Sequence, residues 1–423
     1  MAGERMDGLV AVLDAVRAGH GVTQAQLARQ LGLGRTVVAQ RVGRLESAGL
    51  VVQDGLAPSN GGRAPRLLRL RDSAGLVAGI DIGATGMAVG LADLAGRVLV
   101  QAREPADVAA GPDVVLGRVE ELVADLLGRL ADPPPLWGLG VGVPGPVEFA
   151  TSRPVAPPIM PGWDGHPIRE RLSARFGAPV WVDNDVNVLA LGELRTNPAA
   201  AEAADLLYLK IGTGIGAGLV SGGRVHRGVD GCAGDVGHVA VTDADTVVCR
   251  CGNTGCLEAV AGGDALARYG RQLAESGDSP VLAGVLAARG SVSVADVTTA
   301  ADRGDPAAHG LLARAGRLVG ATLATLVSFY NPGLVVLGGG VVHAGDHVLA
   351  AIRESVYRRS LPLATRTLRI ELSMLGDAAG LAGAVHLALD NLFEPSCLPL
   401  WLSDGSPSGR PEVASATARR RAI

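Results

Sequence analysis

Apolar side chains recur at spacings of three and four across residues 21–51, "GVTQAQLARQLGLGRTVVAQRVGRLESAGLV", and that spacing predicts two short helices. Thr23 and Gln26 stand at capping-box spacing, so the first helix starts at Gln24 and gathers Leu27, Ala28 and Leu31 on one face. Gly32 permits a tight turn. The second helix is predicted from Arg35 to Ala48, with Val38, Val42 and Leu45 as its apolar stripe and Gly49 as its stop. Thr36, Gln40, Gly43 and Arg44 fall on the opposite face, with Arg35 and Arg41 on the flanks. "LVVQDG" then reads as a strand running into an Asp-Gly turn, and "RLLRLR" as its return strand.

From residue 76 the pattern changes. "LVAGIDIGATGMAVGLADLAGRVL" (76–99) reads as an apolar strand, a glycine turn and a second strand. A comparable pattern recurs at 206–226, "LLYLKIGTGIGAGLVSGGRVH", and the repeat predicts two related lobes. "APVWVDNDVNVLALGEL" (178–194) predicts a strand ending at Asp183-Asn184-Asp185 and then a helix. Residues 318–342 carry no charge, but Asn331-Pro332-Gly333 breaks the run. A core helix, a turn and a buried strand are therefore expected there, not a membrane span. "LVAVLDAV" is interrupted by Asp14 and lacks a signal-peptide cleavage pattern, so a cytoplasmic protein is expected.

The chain has 423 residues, of which 48% are apolar and 19% charged, a globular composition long enough for two to four domains. The net charge of −4 is unevenly spread: residues 1–71 carry +5 and the remainder −9. A basic head on an acidic body points to nucleic-acid binding. Two helices joined by a glycine turn, the second displaying arginine and glutamine, resemble a helix-turn-helix, and the two strands that follow make a wing. Between those strands "PSNGGRAPR" offers Arg63 to a narrow minor groove. Residues 72–75 read as a linker. The Ser-, Pro- and Arg-rich residues 396–423 read as a disordered tail.

Three of the five cysteines crowd into "CRCGNTGCLE". In a reducing compartment that favours metal binding over disulfides. Cys249, Cys251 and Cys256, with His238 of "GCAGDVGHV" as the fourth ligand, predict a closed tetrahedral structural zinc site. Cys232 and Cys397 read as small buried hydrophobes. The Gly/Thr turns after residues 81 and 211, and "LGGG" at 337–340, can point backbone N–H groups at phosphates. An aspartate at the end of the 178–185 strand can accept a proton from a substrate hydroxyl, or simply cap the following helix.

"AGDVGH" followed by "CRCGNTGCLE", together with "GVPGPV" (142–147), "VDNDVN" (182–187) and "GTGIGAG" (212–218), resembles the ROK family of repressors and kinases, within the actin-like and hexokinase-like ATPase superfamily. The winged head with "GGRAP" resembles its regulator branch. The resemblance implies an α/β fold: a winged helix-turn-helix (1–71), a linker (72–75) and a two-lobed kinase-like domain (76–395) with a structural zinc loop. It implies a sugar pocket between the lobes. Asn184 and Asp185 would bind hydroxyls, with Asp185 the base if catalysis survives. Asp235 would belong to the same sugar site. His238 would touch the sugar with one ring nitrogen and zinc with the other, and Glu258 would accept a hydroxyl. Asp81, Gly83 and Thr85 would face ATP phosphates, Gly212, Thr213 and Gly214 would lie opposite, and Gly338 and Gly339 would lie near the adenosine.

Three positions depart from the kinases of the family: Ala84 in the phosphate turn, Ile159 where they place asparagine, and Asp235 where they place glutamate. The expected protein is therefore a sugar-responsive transcriptional repressor with a vestigial kinase domain. It would bind an operator duplex through Arg35, Thr36, Gln40, Arg41, Arg44 and Arg63, as a homodimer or homotetramer. The alternative is a Mg-ATP-dependent sugar kinase that also binds DNA.

Overall fold

The computed structural model describes residues 2–19, 21–58, 64–242, 247–342 and 346–419. Two compact units divide the chain, one formed by Met1–Asp185 with Gly380–Ile423 and the other by Val186–Ala379.

The first unit begins with helices α1 (Ala2–Ala18), α2 (Gln24–Leu31) and α3 (Arg35–Ser47). α1 buries Leu9, Val12, Leu13 and Val16 at helical spacing. The expected capping box forms at α2, where the Gln26 N–H donates to Thr23 Oγ1 at 3.2 Å and the Thr23 N–H donates to Gln26 Oε1 at 2.8 Å. Gly32 ends α2 in the left-handed conformation, φ +64°. Leu27, Val38, Val42 and Leu45 are fully buried, as their spacing predicts. Strands β1 (Val51–Leu56) and β2 (Arg66–Leu70) pair antiparallel as the wing.

Next come β3 (Leu76–Ile82), β4 (Gly86–Asp93), β5 (Val98–Pro105), α4 (Pro112–Gly128) and β6 (Leu136–Val143). A two-residue pair β7 (Val147–Glu148) and β8 (Arg153–Pro154), α5 (Ile168–Phe176) and β9 (Val180–Asn184) follow. The sheet order is β5-β4-β3-β6-β9: an antiparallel meander extended by two parallel strands. α4 covers one face with Val115, Leu116, Val119, Leu122, Val123 and Leu126.

The second unit holds most of α6 (Asp185–Thr196), then α7 (Pro198–Glu202), β10 (Leu206–Ile211), β11 (Ile215–Ser221) and β12 (Arg224–His226). Helices α8 (Leu257–Ala261), α9 (Gly263–Ser276), α10 (Pro280–Arg289), α11 (Val294–Asp302) and α12 (Pro306–Tyr330) precede β13 (Leu334–Gly338). Helices α13 (Asp346–Arg359) and α14 (Pro362–Thr365) and strand β14 (Arg369–Leu372) follow it. The sheet order β12-β11-β10-β13-β14 repeats that of the first unit, in the same mix of antiparallel and parallel pairs. The internal repeat is therefore one of topology as well as sequence. α12 is long and apolar enough to cross a membrane by length and composition, but Leu312, Val319, Leu323 and Val327 bury one face in this unit's core. It ends at Asn331 in the left-handed conformation, and β13 is buried throughout, as the broken apolar run predicts.

The chain then returns to the first unit as α15 (Ala378–Leu392), α16 (Leu398–Trp401) and α17 (Val413–Arg419). The expected disorder of 396–423 is corrected over the described part of that segment. Trp401, Leu402, Val413 and Ala414 are buried, the Trp181 Nε1–H donates to Thr417 Oγ1 at 3.1 Å, and the Gly409 N–H donates to the Gly177 carbonyl at 2.7 Å. A few large apolar residues at the right places outweigh a polar average composition. Residues 398–419 are therefore packed within the first unit, and residues 420–423 lie outside the described residues.

Candidate functional site

His238, Cys249, Cys251 and Cys256 meet at one point. Their ligand atoms all lie within 4.8 Å of one another. Cys251 Sγ and Cys256 Sγ are 3.7 Å apart, and Cys249 Sγ and His238 Nδ1 are 3.5 Å apart. Tetrahedral coordination with metal–sulfur bonds of ~2.3 Å gives sulfur–sulfur edges of about 3.8 Å, so the four groups fit one tetrahedral ion. The loop that holds them is built on backbone: the Cys249 N–H donates to the Asn253 carbonyl at 2.7 Å, and the Gly252 N–H to the Cys249 carbonyl at 2.9 Å. Gly252 (φ +90°) and Gly255 (φ +72°) supply the left-handed turns that fold the chain back. Burial and the adjacent thiols push Cys256 up to about 12, and burial raises Cys249 too. At Cys251 burial works against the thiolate, but the Asn253 backbone and the two neighbouring thiols bring it below the ordinary thiol value. Three such thiols do not ionise together without a compensating cation. Cys397 is buried as expected, whereas Cys232 is exposed in a glycine-rich loop, correcting that expectation.

The cysteine loop also positions Glu258. Cys256 is the N-cap residue of α8, and Glu258 lies in its first turn. Its Oε2 accepts the Ile215 N–H at 3.0 Å, and Gly214 packs against the same carboxylate. The Gly212–Gly214 turn is held by Gly212 N–H to the Gly214 carbonyl at 2.9 Å, and Gly263 N–H donates to the Gly212 carbonyl at 2.8 Å. "AGDVGH" lies along β11, where Gly234 and Gly237 touch the Ala217 and Ile215 carbonyls and leave no room for a Cβ. His238 Nε2 faces Asp235 Oδ1 at 3.8 Å. Gly338 pairs with Lys210, and the left-handed Gly339 packs on the Ile211 carbonyl. Hence the second unit brings together the His238–cysteine cluster, Asp235, Glu258, the Gly212–Gly214 turn and Gly338–Gly339.

In the first unit β9 delivers Asn184 and α6 starts at Asp185. Asn184 Nδ2 donates to the Gly145 carbonyl at 2.7 Å and its N–H to Asp183 Oδ1 at 2.8 Å, while Asp185 is almost fully buried. Ile159 packs partly buried on the apolar core. The Gly83-Ala84-Thr85-Gly86 turn closes with Gly83 N–H to the Gly86 carbonyl at 2.8 Å. The carboxylate of Asp81 abuts Gly380 in the first turn of α15. Sequence reasoning missed Gly145 as the anchor of Asn184, Glu258 as a backbone clamp, and this contact.

On the head, Arg35, Thr36, Gln40 and Arg44 are exposed along α3. Arg41 differs: its guanidinium packs on Gly8 of α1, with Nη1 buried and without a hydrogen-bond partner, so it faces the head's interior and not the reading face. Arg63 lies outside the described residues. Gln40, Gly43, Arg44 and Ser47 share a shallow cleft of about 510 Å³ with Pro399, Leu402 and Ser403, which places the C-terminal segment beside the DNA-reading helix. No sequence motif marks that contact.

The profile of the ROK family matches residues 77–391, and that of the MarR family matches residues 10–63. The xylose repressor of Caldicellulosiruptor bescii is 28% identical over 387 residues, covering 90% of this chain and 95% of that one. A crystal structure of a ROK family transcriptional regulator, described as a homolog of E. coli MLC protein, superposes with a TM-score of 0.79 at 22% identity, covering 98% of this chain and all of the other. A ROK family glucokinase from Streptomyces griseus in complex with glucose and AMPPNP superposes with a TM-score of 0.66 at 31% identity, covering 75% of this chain and all of the kinase.

Proposed function

Because the chain belongs to the ROK family, we propose that it is a transcriptional repressor of carbohydrate metabolism whose hold on operator DNA is set by a bound sugar or sugar derivative. One observation carries this reading: likeness to a xylose repressor extends over 90% of the chain, whereas likeness to a glucokinase spans 75%. A pentose such as D-xylose is accordingly the first effector to try.

The head reads DNA through Arg35, Thr36, Gln40 and Arg44 on α3, and Arg63 reaches the minor groove. Arginines neutralise phosphates and fix register, and Gln40 can recognise an adenine edge. Two or four copies read palindromic half-sites from the cytoplasm or nucleoid. Asn184, Asp185, Asp235, His238 and Glu258 hold the sugar. The metal is zinc, held by His238, Cys249, Cys251 and Cys256, and when bound it supplies charge neutralisation that keeps the thiolates together. The chain's own residues do the rest: Cys256 stands at the N-cap position of α8, α8 presents Glu258, and Glu258 fixes the β10–β11 turn. His238 turns Nδ1 to the thiols, which leaves Nε2 toward Asp235 and a ligand.

The buried Asp185 and the 31% likeness to a glucokinase favour a second reading, a sugar kinase using Mg-ATP at Asp81, Gly83, Thr85, Gly212, Thr213, Gly214, Gly338 and Gly339. Ala84 and Ile159 weigh against it. The deciding experiment is fluorescence anisotropy of full-length protein on a duplex it selects from a random pool, with and without D-xylose and other sugars. Release or tightening by a sugar is expected. A duplex affinity unmoved by any sugar, sugar phosphate or ATP would overturn the reading.

A further inference from the structure

Helix α15 touches Asp81, at the end of β3, at one end and the DNA-binding head at the other. At its N-terminal end Gly380 lies against the Asp81 carboxylate so closely that a Cβ there would collide with it. Along its length α15 rests in a trough of strand glycines. Leu381 lies over Gly90, Val385 over Gly79, the Ala384 carbonyl over Gly140, and Leu392 over Gly138. These four strand positions present no side chain to the helix, so α15 packs directly on the strand backbones and moves with them. Its 15 residues span about 22 Å.

The far end meets both outer helices of the head. Arg17 of α1 has its Cζ 4.6 Å above the centre of the Phe393 ring, and its Nη2 lies 4.0 Å from Asp390 Oδ1. The Trp401 Nε1–H donates to the Leu392 carbonyl at 3.2 Å, and Trp401 packs edge-on against Trp137 with ring centres 5.2 Å apart. Leu402 and Ser403, next in the chain, wall the cleft on α3 beside Gln40 and Arg44. Trp137 in turn sits against Gly75 of the linker.

We propose that α15 couples the Asp81 turn to the DNA-binding head, and that Arg17 is the positioning residue at the receiving end. This rests on the reading of the chain as a ligand-responsive DNA-binding regulator. A change at Asp81 displaces the first turn of α15. The displacement reaches the head through Arg17 and the Trp401–Ser403 segment, because both contacts are packed side chains with little slack. Coupling of this kind is a free-energy difference between head arrangements, and it is measurable from either end.

The test is a double-mutant cycle in the full-length protein, read as affinity for a labelled duplex selected by the wild type from a random-sequence pool. Gly380→Ala perturbs one end and Arg17→Ala the other. Gly380→Ala alone is expected to change duplex affinity at least about fivefold, and less than about twofold in the Arg17→Ala background. Arg17→Lys, which keeps a cation over Phe393, is expected to restore most of the response. If Gly380→Ala fails to fold by circular dichroism, Asp81→Asn takes its place at the same contact. Equal effects of the first perturbation with and without Arg17, or no effect at all, would overturn the coupling. A wild type that selects no duplex overturns the functional reading itself, and that result appears before any variant is made.

Discussion

The carboxylate of Glu258 accepts the backbone N–H of Ile215 at 3.0 Å, joining the first turn of α8 to the β10–β11 turn. Removing it with Glu258→Ala leaves that half-buried N–H without its partner, which costs about 1–3 kcal/mol. A matching drop in melting temperature is expected, together with a weakened sugar effect on DNA binding. Glu258→Gln retains an acceptor and should recover stability but not the full sugar response. Thermal melts beside anisotropy titrations separate the two.

Metal analysis of purified protein is expected to find about one zinc per chain. Cys251→Ser should lose the metal and the sugar response together, since the cysteine loop runs directly into the helix that carries Glu258, with Cys256 at its N-cap position. Metal affinity should rise with pH. Cys256, pushed up to about 12 without metal, is protonated at neutral pH and must release its proton on binding. A native protein free of metal and indifferent to chelators would contradict the assignment.

Arg44 and Arg41 lie three residues apart on α3 and face different ways. Arg44→Ala should weaken duplex binding and lower the salt slope by about one. Arg41→Ala should lower the melting temperature instead, because its guanidinium packs on α1. Gln40→Ala should relax base preference at one position by about 1–3 kcal/mol. If Arg41→Ala reduced DNA affinity while leaving stability unchanged, the division of labour would be wrong.

Turnover with Mg-ATP is expected to fall well below about 1 s⁻¹, the low end for working kinases, across hexoses, amino sugars and pentoses. A coupled ADP-release assay reads this directly. If Asp185→Asn instead abolishes the sugar effect on DNA, then Asp185 is a ligand-binding residue. Turnover above that rate, lost in Asp185→Asn, would promote the kinase reading.

Trp401 is fully buried between Trp137 and Phe393, so Trp401→Ala should cost about 3–5 kcal/mol, readable by urea unfolding. A disordered tail would make the same substitution silent.

The parts legible in the sequence are those set by local rules. The capping box at Thr23, the stripe of Val38, Val42 and Leu45, the broken apolar run at Asn331 and the cysteine spacing each follow from a few neighbouring residues. The strand repeat at 76 and 206 was legible too, because Gly/Thr turns recur at matching offsets. What stayed hidden depends on distant packing. The inward turn of Arg41 is set by Gly8, the order of residues 398–419 by Trp137 and Trp181, and the hold on Asn184 by Gly145. Cys232 misled because a glycine-rich loop gives a small apolar residue nothing to pack against.

The glycine trough has a consequence for biosynthesis. All five strands of the first sheet are made by residue 184, but the helix that covers their glycines begins at Ala378. At 5–20 residues per second the ribosome needs roughly 10–40 s to reach it. During that interval α4 covers one face of the sheet, and the face bearing Gly79, Gly90, Gly138 and Gly140 still lacks its helix. A product truncated within the second unit lacks α15 and Trp401, and with them the contacts that Arg17 makes to Asp390 and Phe393.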